Sequence, residues 1–427
     1  MSAHLDAVVG SDTAGRRAGI TSVCSAHPLV IEAALRQGVA DGSPVLIEAT
    51  SNQVDQFGGY TGLTPADFRV KVEETAERVG LPRTGLVLGG DHLGPHRWRE
   101  QPAATAMSHA EELVRSYVAA GYTKLHLDCS YPCADDPEPL PGEVMADRAA
   151  RMLVVAEAEA VRVGLTGALR YVIGTEVPVP GGADHDIGRL VPTTAAAARE
   201  TLQQHREAFE RAGMASVWSQ VMALVVQPGV EFDHLRVIDY RPEATRELRT
   251  VLDDEPAMIF EAHSTDYQTL GSLTSLVTDG WGVLKVGPGL TFALREALFA
   301  LAAIEDELLP AGRRSRLPTV VEARMLDQPE HWRRYYAGTA EEQAIARRYS
   351  YSDRMRYYWP DPAIDAAVGT LLENLTTRGI PDPLLSAFLP AQYERVRSGV
   401  LPRSPSELVV DRVRDVLRTY AAAVTPS

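Results

Sequence analysis

Cysteine is scarce in this chain: there are 3 among 427 residues, an odd count. That excludes a disulfide-stapled scaffold and predicts a reducing, cytoplasmic setting. Positive charge is also in deficit. Lys and Arg number 42 against 57 Asp and Glu, a net charge of −15. A surface of that sign excludes a general nucleic-acid or anionic-membrane binder, because phosphate affinity needs positive potential. A local basic pocket for one phosphate stays compatible with it. Long apolar runs are missing too. Val217–Val226 is interrupted by Gln220 and stopped by Pro228, so no membrane span is expected. The start of the chain has no basic stretch leading into an apolar one, so no secretory leader is expected. Finally, Gly89-Gly90-Asp91-His92-Leu93-Gly94 carries glycines without dinucleotide or Walker spacing.

What is present is alternation. Eight short apolar runs, Ile20–Ser25, Pro44–Ala49, Gly85–Gly90, Lys124–Asp128, Leu169–Gly174, Val217–Val226, Ala257–Glu261 and Gly282–Val286, alternate with helix-like stretches. Nearly continuous apolar runs are how strands buried on both faces of a parallel sheet read. Thr64-Pro65 marks a helix start, with Gly80 as its stop. Eight strands alternating with helices predict a closed (β/α)8 TIM barrel rather than an open doubly wound sheet. A barrel takes roughly 200–300 residues, so 427 leave room for an extension. From about Pro310 the alternation gives way to Arg-, Glu- and Tyr-rich helical stretches. The expected division is a barrel over 1–310 and a C-terminal helical extension over 311–427.

Barrel chemistry sits at the carboxyl ends of the strands. The third run ends in Asp91-His92, where Gly90 and Gly94 permit a turn that aims both side chains inward. His92 can ligate a metal and Asp91 can act as a base; a turn Asp beside a surface His is the plainer reading. The seventh run ends at His263 and the fifth at Glu176, which a Pro-Gly loop follows; the sixth ends near Gln227. Two imidazoles and a carboxylate from separate strands suit Zn2+, Mn2+ or Co2+. The polar loop after Glu48, through Asn52 and Gln53 to Tyr60, suits either a sugar's hydroxyls or its own backbone. Asp128 is placed to orient a metal-binding His. The eighth run, with Lys285, Gly287 and Gly289, offers either an anion site at a helix start or a Gly-Pro turn capped by Thr291. Arg354 lies in an Arg/Tyr/Trp-dense tail that reads as a phosphate clamp or as an interface.

Ser43–Thr50, Gly90-Asp91-His92 and Lys285-Val286-Gly287 resemble class II, metal-dependent ketose-bisphosphate aldolases. More closely, Glu48–Tyr60, Gly89–Pro95, Gly174–Gly182 and Ser352–Trp359 resemble the family of the non-catalytic subunit of tagatose-bisphosphate aldolase. Some members of that family are described as tagatose-6-phosphate 4-epimerases. The resemblance spans nearly the whole chain. It implies Asp91 as catalytic base, with His92 and His263 as metal ligands. The aldolases have a further His after strand six; here that stretch reads Gln227-Pro228-Gly229. Glu176 is the first candidate for the missing ligand, with a catalytic role as well, and Gln227 the second. Glu48, Asn52, Gln53, Asp128, Lys285, Gly287, Gly289 and Arg354 are the expected substrate contacts. The implied function is a cation-dependent epimerase inverting C4 of a ketose 6-phosphate, with Zn2+ favoured over Mn2+, Co2+ or Mg2+. The alternative is a stabilising subunit partnering a class II aldolase catalytic chain. A third reading is epimerisation of free ketoses or uronates, and homo-oligomerisation is compatible with all three.

Overall fold

The structure, a computed structural model, describes residues 2–13, 17–176 and 190–425. Eight parallel strands close into a barrel in chain order: β1 Ile20–Val23, β2 Val45–Thr50, β3 Leu86–Leu93, β4 Lys124–Leu127, β5 Arg170–Ile173, β6 Val221–Val225, β7 Ile259–Ala262 and β8 Trp281–Val286. β8 returns to pair with β1, Ile20 opposite Val283. The expected TIM barrel with C-terminal helices is the fold found. The sixth expected run was read too long at its start, because Ala215–Gln220 form a 3-10 turn before β6.

Local signals explain the helices. Thr64 caps Pro65–Val79 in a reciprocal box with Asp67, and Gly80 ends it at φ 83°. Along the strands the period of two puts alternate residues inside the barrel. Ile20, Leu46, Val87 and Val283 fill its lower interior, and Leu5 and Val8 of helix Ser2–Thr13 seal the bottom. Two residues further up, the same inward rows carry Ser22, Glu48 and Lys285, all buried. The barrel is thus apolar below and polar above, which confines the chemistry to its carboxyl end.

Beyond Pro310 the chain is helical and folds back on its own barrel. Helix Pro405–Val424 packs on helices Pro28–Asp41, Leu270–Thr278 and Pro288–Leu308. It buries Leu408, Val409, Val413 and Leu417, each contributing about 1.5–3 kcal/mol. The aromatic tail is largely interior: Trp332, Tyr336, Tyr358 and Trp359 are buried.

Candidate metal centre

The floor of the site is an ionic layer. Lys124 Nζ of β4 lies 2.7 Å from Glu48 Oε1 of β2 and 2.7 Å from Glu261 Oε2 of β7. All three are 0% exposed. Burial works against the Lys124 ammonium, but Glu261 and Glu48 outweigh it and raise its pKa. Gly89 belongs to this layer, since a Cβ there would stand 2.8 Å from Glu48 Cγ. Lys124→Met leaves Glu48 without its ion-pair partner and Glu261 with only Lys285, 3.5 Å away, and is expected to cost about 3–5 kcal/mol. Denaturant unfolding checks this; an unchanged midpoint would mean that the layer is not ionic.

Above it stand three imidazoles. His92, His126 and His263 have ring centroids 4.9–5.1 Å apart, close to an equilateral triangle. With Asp91 they offer ligand atoms that all lie within 4.8 Å of one another, and all four residues are buried. Asp91 and His92 both point inward because the β3–β4 register shifts between Gly90 and Leu93 and His92 takes φ 49°. Such strain in a non-glycine residue persists only where the surroundings enforce it. The enforcement is visible at Gly94, whose Cβ would fall 1.7 Å from the Asp128 carbonyl oxygen.

Carboxylates orient the rings. His92 Nδ1 lies 2.8 Å from Asp128 Oδ2, and His263 Nε2 lies 3.0 Å from Glu261 Oε1. His126 Nδ1 lies 3.0 Å from Asp91 Oδ1. One nitrogen of each ring is thereby held, the arrangement that carboxylates impose on metal-binding histidines. The opposite nitrogen of His126, Nε2, is buried with no hydrogen-bond partner. Burial lowers the His126 pKa, and burial with Lys285 lowers that of His263. Both rings are therefore neutral, as ligation requires. The residues fit a divalent cation: three clustered imidazoles, an orphaned buried nitrogen on His126 and an adjacent carboxylate.

Asp91 is ion-paired with Lys285. Burial pushes its carboxyl up, but His92, Lys285 and His126 together hold it well below the usual range. The surrounding wall includes Cys24, Thr50, Asn52, Gln53, Tyr60 and Tyr357.

The sequence model of the family described as D-tagatose-1,6-bisphosphate aldolase subunit GatZ/KbaZ-like matches residues 5–425. The chain belongs to this family. A crystal structure of a probable tagatose 6 phosphate kinase from Sinorhizobium meliloti 1021 is 49% identical to this GatZ/KbaZ-like chain. The TM-score is 0.87, and the match covers 95% of this chain and 100% of that one. Two weaker likenesses are to a fructose-bisphosphate aldolase from Campylobacter jejuni and to the YdjI aldolase from Escherichia coli K12. The first is 13% identical over 87% of this chain and 91% of that one, with a TM-score of 0.44. The second is 11% identical over 88% and 97%, with a TM-score of 0.42.

Several expected site residues of the GatZ/KbaZ-like chain stand elsewhere. Glu176 is exposed and accepts a hydrogen bond from Thr193 at 2.5 Å, outside the four-residue group; residues 177–182, its Pro-Gly loop, lie outside the described residues. Gln227 is spent on its own turn, its Oε1 accepting the amides of Gly229 and Val230. The third imidazole comes instead from His126, inside β4. Glu48 lies in the floor rather than on the wall. Arg354 is buried against the Tyr335 ring at 3.3 Å; Arg356, on the same 3-10 turn, lines the pocket. Gly287 and Gly289 do present amides at a helix start, but Asp266 Oδ1 accepts both, at 3.0 and 2.7 Å. Burial pushes the Asp266 carboxyl up to about 6 against the pull of those amides.

Among the described residues, no helix is long and apolar enough to cross a membrane.

Proposed function

We propose that the chain is a metal-dependent isomerase that inverts C4 of a ketose 6-phosphate, converting D-tagatose 6-phosphate to D-fructose 6-phosphate by retro-aldol cleavage and re-addition. The observation that carries this is the triangle of buried imidazoles with an ionised carboxylate beside it. His92, His126 and His263 would hold the cation, and the nitrogen-rich set favours Zn2+ over Mg2+. When bound, the cation supplies Lewis-acid stabilisation of the charge that develops as the C3–C4 bond breaks.

The other steps belong to side chains. Asp91 takes the proton of the C4 hydroxyl as C3–C4 breaks and returns it after the aldehyde has turned over. Lys285 keeps Asp91 ionised and adds positive charge where the oxyanion forms. Thr50, Asn52 and Gln53 supply polar groups for the sugar's hydroxyls. Arg356 and Tyr357, brought over the mouth by the tail, retain the aldehyde fragment so that cleavage ends in epimerisation rather than release. Its three free cysteines suit a reducing cytosol.

The test is turnover. Zn2+-loaded protein incubated with D-tagatose 6-phosphate is expected to form D-fructose 6-phosphate, with activity falling at least about 100-fold on chelation, in keeping with several kcal/mol from the cation, and returning with Zn2+. No interconversion by the loaded protein would sink the reading. The family description as an aldolase subunit favours a second one, in which the chain stabilises a class II aldolase partner. Co-expression separates the two: only that reading requires the partner's activity or solubility to rise.

A further inference from the structure

Besides the imidazoles and Asp91, the mouth presents three charged groups: Lys285, Asp266 and Arg356. Lys285 has its counter-ion in Asp91. Asp266 is seated on the turn after β8, on the Gly287 and Gly289 amides. Amides at a helix start are the groups that would cradle a phosphate. The space is filled as well, since a Cβ on Gly289 would stand 3.1 Å from Asp266 Oδ1. A phosphate arriving there would meet a carboxylate at contact distance.

Arg356 is the exception. Its Nη1 donates to the carbonyl oxygens of Ser352 and Asp353, and its Nη2 to Tyr357 Oη at 3.2 Å. The Asp353 carboxylate is turned toward Thr291 and Arg295. Among the described residues, no carboxylate forms an ion pair with Arg356. Asp353 and Asp266 act on it only through space, and a half-buried guanidinium with no carboxylate in contact is stabilised by an anion that completes it. The rings of Tyr60 and Tyr357 meet beside it, with centroids 4.8 Å apart.

We propose that the pocket takes a sugar with a single acidic end group, bound by Arg356, and rejects a bisphosphate because Asp266 fills the second anion position. The inference rests on the reading above only in placing a ketose in this pocket. A phosphate and a carboxylate share the chemistry that Arg356 recognises, and separate ligands distinguish them.

The experiment is calorimetric titration of Zn2+-loaded protein with D-tagatose 6-phosphate, D-tagaturonate, D-tagatose 1,6-bisphosphate and D-tagatose. One of the two singly acidic sugars is expected to bind at least about 10-fold more tightly than D-tagatose, the range of a charge-assisted contact, and more tightly than the bisphosphate. Arg356→Gln should erase that preference, a loss on the order of 10–100-fold for the acidic sugar relative to D-tagatose. Asp266→Ala should raise affinity for the bisphosphate about 10-fold by freeing the two amides. The proposal is overturned if the bisphosphate binds tightest to the unaltered protein, or if Arg356→Gln keeps the preference. The first result needs no variant, so misfolding of Arg356→Gln leaves a decisive measurement. Binding and turnover also fail separately. The expected ranking without product formation would sink the epimerase reading alone; epimerisation with the bisphosphate bound tightest would sink this inference alone.

Discussion

Asp91→Asn is expected to lower kcat on the order of 1,000-fold at saturating metal, with metal bound about 10–100-fold more weakly because Asp91 also orients His126. The amide matches the carboxylate in size but cannot take the C4 hydroxyl proton, and loss of a positioned base costs about 100- to 10,000-fold. At saturation the site should still fill, because all three imidazoles remain. The substitution also strips Lys285 of its counter-ion, so KM is expected to shift as well. Steady-state kinetics paired with metal analysis decides the matter. Near-normal turnover would remove Asp91 from the mechanism, and loss of metal would make it a ligand instead of a base.

His126→Ala is expected to empty the centre. It removes the nitrogen with no other partner and opens the triangle. A graded comparison makes the result specific. Asp128→Asn only loosens the orientation of His92 and should weaken metal binding about 10–100-fold. His126→Ala should exceed that range, and Glu176→Ala should have no effect, because Glu176 is exposed and turned to Thr193. If Glu176→Ala loses metal while His126→Ala keeps it, the assignment of the three ligands is wrong.

These variants also mark where the chain could be read without coordinates. The barrel was legible because apolar runs and capped helices alternate, and both signals are local. Asp91, His92 and His263 stand at strand ends, where polar residues break an apolar run. His126 stands inside its strand, and that hid it. A usable cue existed: Lys124 and His126 alternate with Leu125 and Leu127, and two polar residues at period two in a buried strand face the barrel axis. Glu176 and Gln227 stand after strands five and six, where the aldolase resemblance implies a further ligand, but neither joins the four-residue group. Nothing local reveals that β4 brings the third imidazole to the group. Arg354 and Arg356 cannot be told apart in sequence either. Both lie on a 3-10 turn, and which one faces the pocket depends on how the tail docks. Asp266 lies only three residues past His263, but its seat on two glycine amides brings distant segments together.

The tail's docking reaches the centre through Tyr420. Its hydroxyl donates to the Thr265 carbonyl at 2.7 Å and lies 3.0 Å from Thr265 Oγ1, which itself donates to the Lys285 carbonyl at 2.6 Å. The loop after β7 is thus tied to β8 through Thr265, and a residue near the end of the chain holds that tie in place. The frame around the centre is therefore complete only when the last helix of the chain has docked.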